Sequence, residues 1–181
     1  MRIIAGVAKK RLLKVPSGWT GRPTADRVKE SLFNILASSI IDCNFLDLFA
    51  GTGNVGIEAL SRGARKAVFV EKDNRAAGAI LQNVKTTGFA DSSRLIIKDV
   101  YRALTQLGQE GETFDIVFLD PPYGMGFEVP VIKSLLELKI LSPGGFVIAE
   151  SGKRDTLPSM IVEISIIKQE RYGDTMISFY Q

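Results

Sequence analysis

Residues 45–71 read FLDLFAGTGNVGIEALSRGARKAVFVE and combine two different hydrophobic patterns. The apolar run FLDLFA (45–50) predicts a buried strand, and NVGIEALSR (54–62) has the apolar spacing typical of a helix. KAVFVE (66–71) is a second apolar run of strand length. A strand, a glycine-containing loop, a helix and another strand in this order predict a βαβ unit, whose two strands lie parallel in one sheet.

The same alternation continues along the chain. A helix with one apolar face follows at 76–84, and three more apolar strands are expected at RLIIKD (94–99), FDIVFLD (114–120) and GFVIAE (145–150). The helix before the last of these strands contains Pro130, which a helix tolerates only in its opening turn. Another helix is expected after Pro23-Thr24, with Asp26 in its first turn. This order predicts an α/β fold with a doubly wound, mostly parallel sheet.

The C-terminal segment ends the alternation. IVEISIIKQERYGDTMISFYQ (161–181) predicts two strands joined at residues 172–175, which is a hairpin with no helix between its strands. The hairpin brings the predicted sheet to seven strands. We expect one antiparallel strand at the edge of an otherwise parallel sheet.

Composition excludes several kinds of chemistry. Cys43 is the only cysteine and the chain has no histidine, so disulfides, Cys/His zinc sites, Ser-His-Asp triads and histidine general bases are excluded. No metal is therefore expected. Nothing resembles a signal peptide or an apolar run of the roughly 20 residues that a membrane span needs. We expect a soluble, cytoplasmic protein.

Positive charge is concentrated near the N-terminus. Residues 1–30 contain eight basic and two acidic residues, whereas the remainder of the chain has a net charge of −3. We interpret residues 1–20 as a basic arm that forms a β-hairpin and is integral to the domain, and 21–181 as a single domain. The charge of the arm, its Trp19 and glycines, and the nearby Arg22 favour a polyanionic partner such as nucleic acid. A merely solubilising terminus is the alternative.

Acidic residues recur at the carboxyl ends of the predicted strands, where ligands bind in such sheets. They are Asp47, Glu71, Asp99 and Asp120. Any one of them could simply cap the following helix, and Asp99 before Val100 fits that interpretation well. Acids after four successive strands are better explained by a binding site.

The loop AGTGNVG (50–56) is a literal GxGxxG, with Glu71 about 20 residues further on. This pattern is typical of nicotinamide dinucleotide sites. However, the carboxylate of Asp47 would repel a pyrophosphate and would suit a cofactor with a cationic end. S-adenosylmethionine has an ammonium, a sulfonium and a ribose from which Glu71 could accept hydrogen bonds.

The stretch FLDPPY (118–123) ends a strand with an acid and two consecutive prolines, which stiffen the backbone beside a carboxylate. Together with Asp47–Gly53, Glu71 and Asp99, it resembles the class I S-adenosylmethionine-dependent methyltransferases that act on exocyclic amines. The terminal hairpin is the signature topology of that class.

More of the chain resembles the RsmD family in particular. The matching motifs are RIIAGVAKKRL (2–12), RPTADRVKESLFN (22–34), DLFAGTGNVGIEALSRGA (47–64), FLDPPY (118–123) and YGDT (172–175). One departure is Lys10, which stands where a glycine commonly precedes Arg11 in a hairpin. The resemblance implies transfer of a methyl group to N2 of a guanine in small-subunit (16S) ribosomal RNA, either as naked RNA or in an assembling subunit.

The resemblance also implies roles for individual residues. The catalytic corner would be Asp120, Pro121, Pro122 and Tyr123. Asp47, Gly51, Thr52 and Gly53 would line the cofactor, Glu71 would hold its ribose, Asp99 its adenine amine, and Thr24 and Arg27 would approach its methionine end. Independently of the resemblance, the positive charge of the N-terminal region makes Lys9, Lys10, Arg11 and Arg22 the expected RNA contacts.

Three alternatives remain open from the sequence. The DPPY chemistry also serves adenine-N6 and cytosine-N4 methyltransferases. A protein of this fold could bind RNA without catalysis, as a ribosome-assembly factor. A nicotinamide dehydrogenase is the third alternative.

Overall fold

The computed structural model describes residues 1–18 and 24–181. Trp19 and Arg22 lie outside these residues, so the predictions made for them stay predictions. The helices are α1 (Asp26–Leu36), α2 (Asn54–Ser61), α3 (Asn74–Thr87), α4 (Val100–Glu110) and α5 (Glu128–Glu137). Helix α1 has Asp26 in its first turn, and Pro130 is the third residue of α5, so both predictions about helix starts are confirmed.

The strands form one sheet in the described part of the chain. They are β1 (Asn44–Leu48), β2 (Lys66–Val70), β3 (Ser93–Ile96), β4 (Phe114–Leu119), β5 (Leu141–Gly152), β6 (Met160–Ile161), β7 (Ile164–Tyr172) and β8 (Thr175–Tyr180). Their spatial order is β3-β2-β1-β4-β5-β8-β7-β6. Neighbours among the first five are parallel, and β8 is antiparallel to both β5 and β7. The α/β class, the parallel core and the C-terminal hairpin are confirmed.

Two details of the hairpin differ from the prediction. The antiparallel strand β8 lies between β5 and β7 and is not an edge strand. The predicted strand that begins at Ile161 is broken at Val162, whose φ of 55° is left-handed, so the chain turns back there and Met160–Ile161 becomes an eighth strand, β6, paired with β7. Hydrophobic pattern alone does not show such a break, because Val162 is itself a strand-forming residue.

Both faces of the sheet are buried. One apolar cluster lies between the sheet and α1, α2 and α3, and it includes the buried rings of Phe45, Phe69 and Phe118. The other lies between the opposite face and α4 and α5. This three-layer arrangement explains why the strands are apolar on both sides, and it leaves the carboxyl ends of the parallel strands as the accessible edge.

The N-terminal segment is attached to α2. The backbone N–H groups of Ile4 and Ala5 donate to the two carboxylate oxygens of buried Glu58 at 2.8 and 3.0 Å. Gly6 has a φ of 82°, and a Cβ atom there would lie 1.7 Å from the carbonyl oxygen of Ser61, so only glycine fits. The segment turns back on itself through a bridge between Arg2 and Leu12, and its apolar side chains Ile3, Ala8 and Leu13 are buried.

Lys10 occupies the turn of this segment with a φ of 71°. The left-handed conformation explains why a glycine is common at this position, because a side chain is disfavoured there.

Among the residues that the structure describes, no helix is both long enough and apolar enough to span a bilayer.

Candidate active site

A cavity of about 540 Å³ opens at the carboxyl ends of the parallel strands. Ligand pockets usually measure roughly 300–1,000 Å³, so the size fits one cofactor-sized molecule. Nine residues predicted from the sequence line it: Thr24, Asp47, Gly51, Thr52, Glu71, Asp120, Pro121, Pro122 and Tyr123. Three of the four strand-end acids, Asp47, Glu71 and Asp120, therefore face one space together with the proline corner, although they are far apart in sequence.

Asp47 is the most deeply buried acid of the cavity, with 2% of its surface exposed. Its Oδ2 atom accepts a hydrogen bond of 2.8 Å from the backbone N–H of Gly56. Burial raises the pKa of Asp47 to about 7, and the nearby charge of Glu71 adds to the increase. A positively charged ligand group in the cavity would favour the ionised form.

Gly56 permits this close packing of helix and strand. A Cβ atom at residue 56 would lie 2.4 Å from Cε1 of Phe69 and 3.1 Å from Oδ2 of Asp47. The third glycine of the GxGxxG pattern therefore lets α2 approach the sheet.

Glu71 holds the glycine loop in place. Its Oε2 atom accepts from the N–H of Gly51, and its Oε1 atom accepts from the N–H of Asp73, each at 2.8 Å. A carboxylate oxygen has two lone pairs, so these bonds are compatible with further hydrogen bonds from the hydroxyls of a ligand. The carboxylate is thereby fixed at the cavity wall.

The proline corner follows β4 directly. Asp120 is half-buried, Pro121 is buried and Tyr123 is half-buried. The hydroxyl of Tyr123 donates to Oε1 of Glu150 at 2.7 Å and lies 3.1 Å from Oγ1 of Thr175. Burial, together with the negative charge of Glu150, raises the pKa of Tyr123 well above its ordinary value, so the phenol keeps its proton.

Several predicted residues lie elsewhere. Asp99 caps α4 by accepting from the N–H of Arg102 at 3.1 Å, and it pairs with that side chain. Gly53 precedes α2 with a φ of 80° and is not a lining residue, and neither is exposed Arg27. The adenine contact of Asp99 stays a prediction.

Three of the predicted RNA contacts, Lys9, Lys10 and Arg11, are exposed and do not line the cavity. Lys9 and Lys10 lie in the turn of the N-terminal segment, and Arg11 donates to the carbonyl of Thr86 at 2.8 Å. Arg22, the fourth predicted RNA contact, lies outside the described residues. The exposed positions of Lys9, Lys10 and Arg11 would allow them to contact a large partner such as RNA.

Sequence reasoning missed Glu150 and Asn54. Glu150 ends the predicted strand 145–150, so the rule that picked out the other strand-end acids applies to it as well. Asn54 lines the cavity and donates to the carbonyl of Thr24 at 3.1 Å, while its Oδ1 atom accepts from Nζ of buried Lys29 at 2.7 Å. No pattern in the sequence indicates the bond between Lys29 and Asn54, because it joins α1 to α2 across the core.

Metal ligation has no support in the part of the chain that the structure describes. Within residues 1–18 and 24–181, no group of three or more cysteine, aspartate or glutamate side chains could hold an ion.

Comparison with known proteins agrees with this architecture. The chain matches over residues 1–181 the family described as Conserved hypothetical protein 95. It is 35% identical over 181 residues to ribosomal RNA small subunit methyltransferase D of Escherichia coli K12, covering 100% of this chain and 89% of that protein. A solved structure from Thermus thermophilus, described as a hypothetical protein, is 32% identical, with a TM-score of 0.85 and coverage of 99% and 98% of the two chains.

A more distant structure shares the fold alone. It is an RNA methyltransferase from Salinibacter ruber in complex with S-adenosyl-L-homocysteine, 19% identical, with a TM-score of 0.62 and coverage of 87% and 92%. The mostly parallel sheet with antiparallel β8 inserted beside β5, together with the full-length similarity to the Escherichia coli protein, identifies a Rossmann-like methyltransferase. The chain belongs to the RsmD family of that class.

Proposed function

We propose that this protein transfers a methyl group from S-adenosylmethionine to the exocyclic N2 amine of a guanine in small-subunit ribosomal RNA. The observation that carries the proposal is that Asp120 and the two prolines line the same cavity as Asp47 and Glu71. A corner that can hold an amine therefore faces the side chains that can hold the cofactor. The name of the Escherichia coli relative supports ribosomal RNA as the substrate.

The residues present fit the cofactor. Asp47 is a buried carboxylate whose ionised form a cationic ligand would stabilise, and a dinucleotide pyrophosphate would do the opposite. Glu71 presents a fixed carboxylate to which ribose hydroxyls can donate. When bound, S-adenosylmethionine supplies an electrophilic methyl group on a sulfonium, which becomes a neutral thioether after transfer.

Asp120 and the carbonyl of Pro121 supply the groups that the acceptor amine needs. The lone pair of an exocyclic base amine is delocalised into the ring, so the nitrogen is a weak nucleophile. Two acceptors that bind its two hydrogens favour a pyramidal nitrogen, and their interaction strengthens as the nitrogen becomes cationic. Such hydrogen bonds stabilise the transition state more than the ground state.

The reaction transfers one methyl group to the nitrogen and releases one proton from it. The nitrogen lone pair forms the new N–C bond, the C–S electrons go to sulfur, and the cationic nitrogen then loses a proton through its hydrogen bond to Asp120 or to solvent. Pro121 and Pro122 fix the carboxylate and the carbonyl relative to each other, so much of the rate comes from positioning. Tyr123 offers an aromatic face on which the base, extruded from its stack, can rest.

The exposed basic side chains of the N-terminal segment would bind RNA phosphates outside the cavity. A ribosomal RNA substrate places the reaction in the cytoplasm.

A transfer assay tests this function. The purified protein is incubated with S-adenosylmethionine labelled on the methyl group and with small-subunit ribosomal RNA, either naked or as partly assembled subunits. We expect label in the RNA and none with a DNA duplex of the same sequence. Absence of label in both RNA preparations, together with normal cofactor binding, would favour a non-catalytic assembly factor.

A further inference from the structure

Glu150 lies in the last part of β5, next to the point where β4 ends. Leu119, the last residue of β4, is the partner of Ala149 of β5 in the parallel register. Asp120 and Glu150 each follow directly after this pair, and neighbouring strands lie about 4.8 Å apart. Both side chains line the same cavity. Only 5% of the surface of Glu150 is exposed, which is unusual for a glutamate.

The carboxylate of Glu150 is held from two sides. Tyr123 donates to Oε1 at 2.7 Å, and the hydroxyl of Thr24 donates to Oε2 at 3.4 Å. Thr175 lies 3.1 Å from the same Tyr123 hydroxyl. These contacts orient an acceptor group toward the space next to the proline corner.

The base edges differ beside the reactive amine. In guanine, the N2 amine stands on a carbon between two ring nitrogens: N3 is an acceptor, and N1 carries a hydrogen and is a donor. In adenine and cytosine, the ring nitrogen next to the amine, N1 or N3 respectively, carries a lone pair and is an acceptor. A carboxylate next to the amine site therefore attracts guanine, and its negative charge repels the lone pair of the other two bases.

We propose that Glu150 is a specificity-determining residue that accepts a hydrogen bond from N1–H of the target guanine while Asp120 binds the N2 amine. The proposal rests on the proposed function and deepens it, because it gives the physical reason why this DPPY site would select guanine over adenine and cytosine. Guanine would then be read by two carboxylates on neighbouring strands.

The test uses a substrate analogue that lacks the N1 hydrogen of guanine. The guanine that the wild-type protein methylates in small-subunit ribosomal RNA is first mapped, and a synthetic fragment is made with guanine or 2-aminopurine at that position. The analogue keeps the C2 amine but has a lone pair at N1. We expect the wild-type protein to methylate the guanine fragment roughly 10- to 100-fold faster, as for a lost hydrogen bond to a charged group.

The variant Glu150→Gln tests the proposed hydrogen bond between residue 150 and N1 of the base. Its amide can donate to the N1 lone pair of 2-aminopurine, so we expect the ratio of the two rates to fall to about threefold or less. The analogue also lacks the O6 atom, but that loss is common to both enzymes, so the change in the ratio reports on residue 150. Glu163→Gln, at an exposed glutamate that does not line the cavity, is the matched control and should keep the wild-type ratio.

A purely structural role for Glu150 gives a different result. If it only positions Tyr123, Glu150→Gln and Tyr123→Phe should slow both fragments equally and leave the ratio unchanged, and that outcome would overturn the inference. A wild-type ratio near one would overturn it without any variant. If the wild-type protein methylates no guanine, the proposed function itself fails, so the two failures are distinguishable.

Discussion

Asp120 is the residue on which the proposed chemistry depends most. Asp120→Ala should lower the single-turnover rate of methyl transfer by ~10²-fold or more, because it removes an acceptor whose hydrogen bond strengthens in the transition state. Affinity for S-adenosylmethionine, measured by calorimetry, should stay nearly the same. Asp91→Ala, at an exposed aspartate, is the control. A near-normal rate for Asp120→Ala would rule out this mechanism.

The raised pKa of Asp47 leads to a prediction about how the stability of the protein depends on pH. Its pKa is about 7 in the folded protein and near 3.9 when unfolded, so the folded chain binds the extra proton and becomes less stable as pH rises between these values. Asp47→Asn is neutral throughout and loses this dependence.

The measurement is chemical unfolding without cofactor at pH 5 and pH 8. The free energy of unfolding of Asp47→Asn relative to wild type should increase by about 2–3 kcal/mol between the two. Parallel pH dependence of the two proteins would show that Asp47 is ionised throughout.

Individual site residues could be predicted from the sequence where they follow a single rule, the recurrence of acids at the ends of strands. Asp47, Glu71 and Asp120 were found because acids recur at strand ends, and all three line the cavity. Glu150 obeys the same rule but was interpreted only as the end of a core strand. Asp99 obeys it too, yet its side chain caps α4, because an acid before a helix satisfies both patterns equally well.

The N-terminal segment is the element with the clearest separate role. If Lys9, Lys10 and Arg11 contact phosphates, changing all three to Gln should lower the slope of log affinity against log salt by ~2–3, close to one unit for each lost contact. The control changes three exposed basic residues elsewhere, Lys85, Arg102 and Lys133. A wild-type slope in the first variant, with normal RNA methylation, would show that the segment is only solubilising.

The attachment of this segment depends on a buried ion pair. The Nζ atom of Lys29 lies 3.3 Å from Oε2 of Glu58, and both side chains are fully buried. Burial lowers the pKa of Lys29, and the charge of Glu58 opposes this effect.

Glu58→Gln should therefore destabilise the protein by about 3 kcal/mol, because it leaves a buried charge without its partner. Lys29→Met in addition should recover part of that loss, and thermal unfolding of the single and double variants measures both. A fully additive loss in the double variant would contradict the coupling.

The sequence predicted this segment only in outline. The sequence of the segment shows that it is basic and predicts that it forms a hairpin. Its attachment through Glu58 was not predicted, because it joins residues more than 50 positions apart and no local pattern shows such a contact. The same holds for β8, since the hairpin signal gives its partner β7 but not its insertion beside β5.

At the scale of the whole molecule, the sheet explains the site. Parallel strands bring their carboxyl ends to one edge, and the acids that follow β2 and β4 therefore meet Asp47 of β1 and Glu150 of β5 around a single cavity. This arrangement follows from the alternation of strands and helices, so the position of the site was predictable from sequence. The hydrogen-bond partners within it were not, because they depend on packing between distant elements.

The identity of the methylated nucleoside tests the proposed function most directly. Small-subunit ribosomal RNA from cells that lack the gene is incubated with S-adenosylmethionine and either wild-type protein or Asp120→Ala, digested to nucleosides and analysed by mass spectrometry. We expect N2-methylguanosine with the wild-type protein and a large reduction with the variant. Formation of N6-methyladenosine or N4-methylcytosine in its place, or no methylated nucleoside from either naked RNA or partly assembled subunits, would contradict the proposed function.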